Sequence, residues 1–200
     1  MYDPQIDGRT LSFGVSGKLY KSNLLMFDRQ TDSLWSQLLQ QAITGPLTGK
    51  KLVMVSVQHT TWKLWRSQHP DSLVLSPETG FKRDYGLDPY APYREGGTTV
   101  FSLGKDAAAR RRDKLRPMER VLGVQLNGVK KAYPFSALKK SPADLEDRLG
   151  DTAIRIHFDK KSESGFVTDR HGMIVPSVAL FWFAWADFYP DTLVFARAKN

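Results

Sequence analysis

The chain of 200 residues contains no cysteine. That excludes disulfides, thiolate catalysis, iron–sulfur clusters and cysteine-type zinc sites. Histidine is scarce, with only His59, His69, His157 and His171 present. None stands in an HxH or HExxH pair, so a bound metal is not expected and no cofactor is implied. No apolar run approaches the ~18 residues of a membrane span. The first ten residues, MYDPQIDGRT, are polar and lack the basic-then-apolar pattern of a signal peptide. As written, the sequence reads as a cytoplasmic chain.

What is present points to a packed domain. The hydrophobic fraction is 41 %, with eleven Phe, seven Tyr and five Trp, which is ample for a core and argues against disorder. The net charge of +8 is first a matter of solubility and non-specific attraction.

Four of the five tryptophans sit in one repeated frame. Residues 62–75 read WKLWRSQHPDSLVL, and residues 182–195 read WFAWADFYPDTLVF. Trp62, Trp65, Pro70, Asp71, Leu73 and Val74 match Trp182, Trp185, Pro190, Asp191, Leu193 and Val194 at one offset of 120 residues without a gap. The frame predicts an internal duplication. Two paired aromatics on a helix face read as core. DRQTDS at 28–33 and DRLGDT at 147–152, like DGRTLSF and NGVKKAY, are shorter echoes of it.

The pattern along the chain is strand-rich. TLSFGVSG, KLY and NLLMFD alternate, broken by Gly8, Gly14 and Gly17. KLVMVSV (51–57) predicts a strand, and Thr60 an N-cap for a helix over 61–68. SLVLS predicts a strand returning to the sheet. In the second half, VLGVQLN and VKKAYPF flank Asn127-Gly128, a strong hairpin signal. SPADLEDRLG predicts a helix capped by Ser141 and stopped by Gly150. TAIRIHFD, GFVTD and TLVFARA predict strands, and SVALFWFAWADFYP predicts a helix buried on most sides. Both halves would then end as strand, Trp-bearing helix, Pro-Asp turn and strand. The fold class expected is α+β, largely antiparallel with a few short helices, as one compact domain. Residues 1–80 form a first half, 81–120 an inserted loop and basic helix, and 121–200 a second half.

Several segments match a known family. TTWKLWRSQHPDSLVLSPETGFKRDYGLDPYAPY, SLWSQLLQQAITGPLTG, GVQLNGVKKAYPF and FWFAWADFYPDT stand in one order over nearly the whole chain. In that order they resemble a prokaryotic family known as domain of unknown function 3179. The family's relatives carry an upstream copy of the G-x-x-x-x-G-x-x-x-A-Y-P pattern seen here from Gly123 to Pro134, followed by a Cys-Pro-Leu-Cys element. This chain has neither, so no redox or metal role carries over. Many relatives look exported or lipid-anchored. A short form of this kind predicts an unpaired strand edge near residues 9–15, or a homodimer that covers it.

The candidate site is the unrepeated loop 81–93. Arg83, Asp84, Tyr85, Asp88, Tyr90 and Tyr93 gather there. An arginine clamps carboxylate or phosphate in bidentate fashion, and a tyrosine orients or donates a proton. The competing reading is ion pairs and a small aromatic cluster pinning the loop. Trp35, Ser36 and Gln37, which the family resemblance includes, form a second candidate. A serine outside a G-x-S-x-G elbow is a weak nucleophile, and a turn or strand-edge role suits it better. The basic stretch 105–120 lacks any accompanying nucleic-acid motif, so a solvated helix face is expected rather than a nucleic-acid interface. Two functions follow. One is a binding module for an unknown small molecule or protein. The alternative is an enzyme acting on an anionic small molecule through loop 81–93.

Overall fold

A computed structural model describes residues 1–55, 57, 59–88, 91 and 115–196. Those residues build fourteen strands and three short helices, so the α+β class holds. Among the described residues no helix is long and apolar enough to cross a membrane.

The first half is a small β unit. β1 (Gln5–Ile6) and β2 (Arg9–Thr10) form a hairpin over Asp7 and Gly8, both at positive φ. β3 (Phe13–Tyr20), β4 (Asn23–Asp28), β5 (Leu34–Ser36) and β6 (Gln41–Thr44) follow as one antiparallel meander in that order. Ile6, Leu11, Trp35, Ala42 and Leu52 make its core. β3 is an edge strand with no second neighbour among the described residues, so the edge expected near residues 9–15 is open from Phe13 onward, while Arg9–Thr10 pair with β1. A register shift between Val15 and Leu19 and the positive φ of Gly17 blunt that edge.

The described residues of the segment 51–57, which leave out Ser56, do not form the predicted strand. Tyr2 bridges Met54 and Gln41 bridges Lys51, with no ladder between. The segment is stitched to the N-terminus by Asp3 N–H donating to the Val53 carbonyl at 2.9 Å and Val55 N–H to the Met1 carbonyl at 3.0 Å.

The second half is a two-sheet sandwich. β7 (Arg120–Leu126) and β8 (Val129–Pro134) form the hairpin predicted at Asn127-Gly128, with φ of 50° and 79° there. β13 (Ser177–Phe181) lies outside β7, and β14 (Leu193–Val194) adds parallel to β8. The facing sheet runs β12 (Ile174–Val175), β11 (Ser164–Asp169), β10 (Thr152–Asp159) and β9 (Asp144–Leu149). Leu122, Val124 and Tyr133 of one sheet meet Ile154, Ile156 and Val167 of the other. The short helix α2 (Phe135–Leu138) closes one end.

Two sequence expectations fail here. Residues 144–149 are strand β9, not a helix stopped by Gly150. SVALFWFAWADFYP divides into β13 and helix α3 (Trp182–Phe188), although α3 is buried at every residue as expected. α3 packs on the outer face of β7, whose Gly123 leaves room for the Trp185 indole. A Cβ at Gly123 would fall 2.3 Å from that ring.

The repeated frame adopts one local structure twice. Helix α1 (Trp62–Gln68) begins after Thr61, one residue later than predicted, and the Thr61 hydroxyl accepts from Leu64 N–H at 3.3 Å. The residues preceding α1 and α3 have φ/ψ of −80°/151° and −81°/145°, and those following have −134°/71° and −123°/71°. Trp65 Nε1–H donates to Ser72 Oγ at 2.9 Å, and Trp185 Nε1–H to Thr192 Oγ1 at 2.9 Å. Their surroundings are opposite. No residue of α1 is buried, and Trp62 is 44 % exposed, so the first Trp pair is not core. Residues 73–75 pair with no strand among the described residues, unlike β14.

Candidate functional site

Residues 81–88 of the predicted loop are all exposed, and Ala91 is half-buried. Arg83, Asp84, Tyr85 and Asp88 all face solvent. Tyr85 shares a 2.6 Å hydrogen bond with the Thr79 hydroxyl, and Asp84 accepts from Gly86 N–H at 2.9 Å. Tyr90 and Tyr93 lie outside the described residues, as do residues 105–114 of the basic stretch.

Trp35 and Ser36 are buried inside the first β unit. Trp35 Nε1–H donates to the buried Asp28 carboxylate at 2.8 Å, and Thr31 donates to the same group through N–H at 2.6 Å and Oγ1–H at 2.9 Å. Burial alone would raise the Asp28 carboxyl, yet these bonds hold it below the usual carboxylate range. Ser36 Oγ accepts from Leu39 N–H at 3.3 Å in a turn, and Gln37 donates to the Leu24 carbonyl at 3.1 Å. The trio is therefore structural in its contacts.

The structure brings together a set that was not singled out from sequence. The outer face of the β9–β10–β11 sheet carries polar residues at most alternate positions, with Ala153 and Phe166 the apolar ones, because the inner face is core. Register sets His157 opposite Asp144 on one side and Phe166 on the other, with Thr168 on the diagonal. His157 Nδ1 lies 2.6 Å from Asp144 Oδ1, and Nε2 lies 3.1 Å from Thr168 Oγ1. The ring stacks on Phe166 with centroids 4.5 Å apart. Both ring nitrogens of His157 therefore have a hydrogen-bonding partner, one a carboxylate and one a hydroxyl.

Helix α1 stands over one end of this face and borders an open cleft of about 280 Å³. His59, Thr60, Asp144, His157, Asp159 and Ser164 supply its polar lining. Leu64 and Gln68 line it from α1. Ser164 Oγ reaches toward Thr60 Oγ1 at 3.5 Å across the gap. Bonds from Ser162 hold the Asp159 carboxyl below its usual range. Both nitrogens of His157 are engaged and Thr168 is only 7 % exposed. The relay thus fixes the ring as a wall rather than presenting a free base.

Two other concavities differ in chemistry. One of about 350 Å³ lies between the halves, lined largely by apolar groups such as Leu38, Leu52 and Trp185. Its Tyr189 hydroxyl, pushed up to about 12 by burial and by nearby Tyr2, donates to the Leu38 carbonyl. The other, on the outer sheet face, holds three arginines with partners of their own. Arg155 pairs with Glu146 at 2.8 Å, Arg148 donates to the Asp151 carbonyl at 2.8 Å, and Arg170 donates to His171 at 2.9 Å. Among the described residues, no group of three His, Asp or Glu is placed to hold a metal.

A family model described as "Protein of unknown function (DUF3179)" matches residues 1–174. Neither the curated proteins nor the solved structures gave a match.

Proposed function

The chain belongs to the DUF3179 family, whose function is unknown, and on that premise we propose that it is a binding module for a small molecule rich in hydrogen-bond donors. The site is the cleft between α1 and the outer face of β9–β11. The observation that carries this reading is the convergence of two carboxylates, Asp144 and Asp159, with His59, Thr60 and Ser164 on one cavity of about 280 Å³. That size suits a compact metabolite. Carboxylates accept from ammonium or hydroxyl groups and repel an anion, and the hydroxyls add further acceptors. The relay holding His157 between Asp144 and Thr168 preorganises the wall. The same reading takes the two Trp frames as copies of a duplicated unit, supported by their matching caps and indole bonds.

A thermal-shift panel of amines, polyols and organic anions tests it on the wild-type, Asp144→Asn and Arg83→Ala proteins. A donor-rich ligand near 100 times its Kd should raise Tm by roughly 5–10 °C. The shift should vanish in Asp144→Asn and survive in Arg83→Ala. Loss in Arg83→Ala with retention in Asp144→Asn would move the site to loop 81–93. The absence of any shift across the panel would contradict small-molecule binding.

A further inference from the structure

Charge changes sign along the outer face of the β9–β11 sheet. The outward positions of β10 run Asp159, His157, Arg155 and Ala153. Those of β9 run Asp144, Glu146 and Arg148, set opposite His157, Arg155 and Ala153 in turn. The end under α1 is therefore acidic, with Asp144 and Asp159. The far end is basic, with Arg148, Arg155 and Arg170 around a hollow of about 780 Å³. His157 and Phe166 line both this hollow and the cleft under α1, so the two spaces open on either side of one stacked pair of rings.

The acids of the basic end are engaged elsewhere. Glu146 pairs with Arg155, and Asp147 turns inward to Lys131 and Tyr133. Asp169 accepts from His171 N–H at 2.8 Å and from Met173 N–H at 2.9 Å. The arginines are not exhausted. Each uses one nitrogen, Nη2 of Arg148 and Arg155 and Nε of Arg170, whereas a guanidinium carries five N–H donors.

We infer that the two hollows are one site and that its ligand is a short peptide. The N-terminal ammonium meets Asp144 and Asp159, and the C-terminal carboxylate meets Arg155 and Arg148. This site includes the cleft proposed above and so rests on that reading. It adds an anionic contact that a simple amine cannot make. Register sets the length. Arg155 stands about 7 Å along the sheet from His157, and Arg148, opposite Ala153, about 13 Å. An extended tripeptide spans about 10 Å. The half-buried Phe166 ring, between the two ends, receives an apolar side chain at the middle residue.

The test is calorimetric titration of the full chain with Ala-Phe-Ala, with its C-terminal amide and with butylamine. The free acid should bind wild-type protein about tenfold or more tighter than the amide, as a charge-assisted hydrogen bond implies. A variant combining Glu146→Gln, Arg148→Gln and Arg155→Gln changes exposed side chains only. In it the free acid should fall to the affinity of the amide, while the amide and butylamine bind as before. Asp144→Asn should weaken all three. Equal affinity of free acid and amide in the wild type overturns the inference, and so does equal weakening of both in the triple variant. Binding of butylamine without either peptide also overturns it and leaves the amine-accepting cleft standing. If neither butylamine nor the peptides bind, the cleft reading falls and the peptide site falls with it.

Discussion

At the scale of single residues, the buried Asp28 is the sharpest case of chemistry that looks functional and is structural. It accepts from Trp35 and Thr31 inside the first β unit. Trp35→Phe should destabilise the protein by about 1–3 kcal/mol, since it leaves a buried carboxylate short of a donor. Denaturant unfolding checks the value. Asp28 and Asp147 both have carboxyls held low against the opposing effect of burial, Asp147 by Lys131, Arg148 N–H and Tyr133. Depressed folded values mean that their stabilisation is complete above the ordinary carboxyl value of 3.8 and is lost as the pH falls from there through the lower folded value. Tm should be level from about pH 7 to 5 and fall below about pH 4. Asp28→Asn should flatten part of that fall. Gly123 is the residue where one methyl matters most. Gly123→Ala should cost about 1–3 kcal/mol by forcing the Trp185 ring aside.

Among the elements, the two helices of the repeated frame make a controlled pair. Trp182→Ala should cost about 3–5 kcal/mol, as truncation of a buried aromatic does, because Trp182 is 6 % exposed. Trp62→Ala, at the matching position, should cost under about 1 kcal/mol. Equal losses in thermal unfolding would contradict the difference in burial. The hairpin at Asn127-Gly128 was legible because the turn requires positive φ at both central positions and its residues supply it. Strand β9 was not legible, for an identifiable reason. Its inward positions are Leu145, Asp147 and Leu149, so an aspartate interrupts the apolar alternation. The spacing of the two leucines then imitates a helix between Ser141 and Gly150. Asp147 is tolerated inside because Lys131 at 2.6 Å and Tyr133 at 2.8 Å satisfy it, a compensation that only the facing sheet provides. The cleft proposed to bind a ligand was hidden in the same way. His157 sits in RIHFD with no neighbour in sequence to mark it, and strand register alone brings Asp144 and Thr168 to its ring.

For the whole molecule, the α+β class and the family were legible, because hydrophobic alternation and the ordered Trp and hairpin segments are local signals. The unequal burial of the two frames was not, since it depends on which surfaces each helix meets. The open edge of β3 was anticipated, and the means by which it is managed is visible in the bulge and Gly17. Sedimentation at rising concentration should therefore show no self-association through that edge. The central claim is that the cleft between α1 and the β9–β11 face binds a donor-rich small molecule. Saturation-transfer NMR on a pool of amines, polyols and organic anions, run in parallel on wild-type and Asp144→Asn protein, tests it most directly. Transfer to amines or polyols is expected in the wild type, with its loss in the variant. Transfer confined to the anions, or an identical set of binders in both proteins, would contradict it.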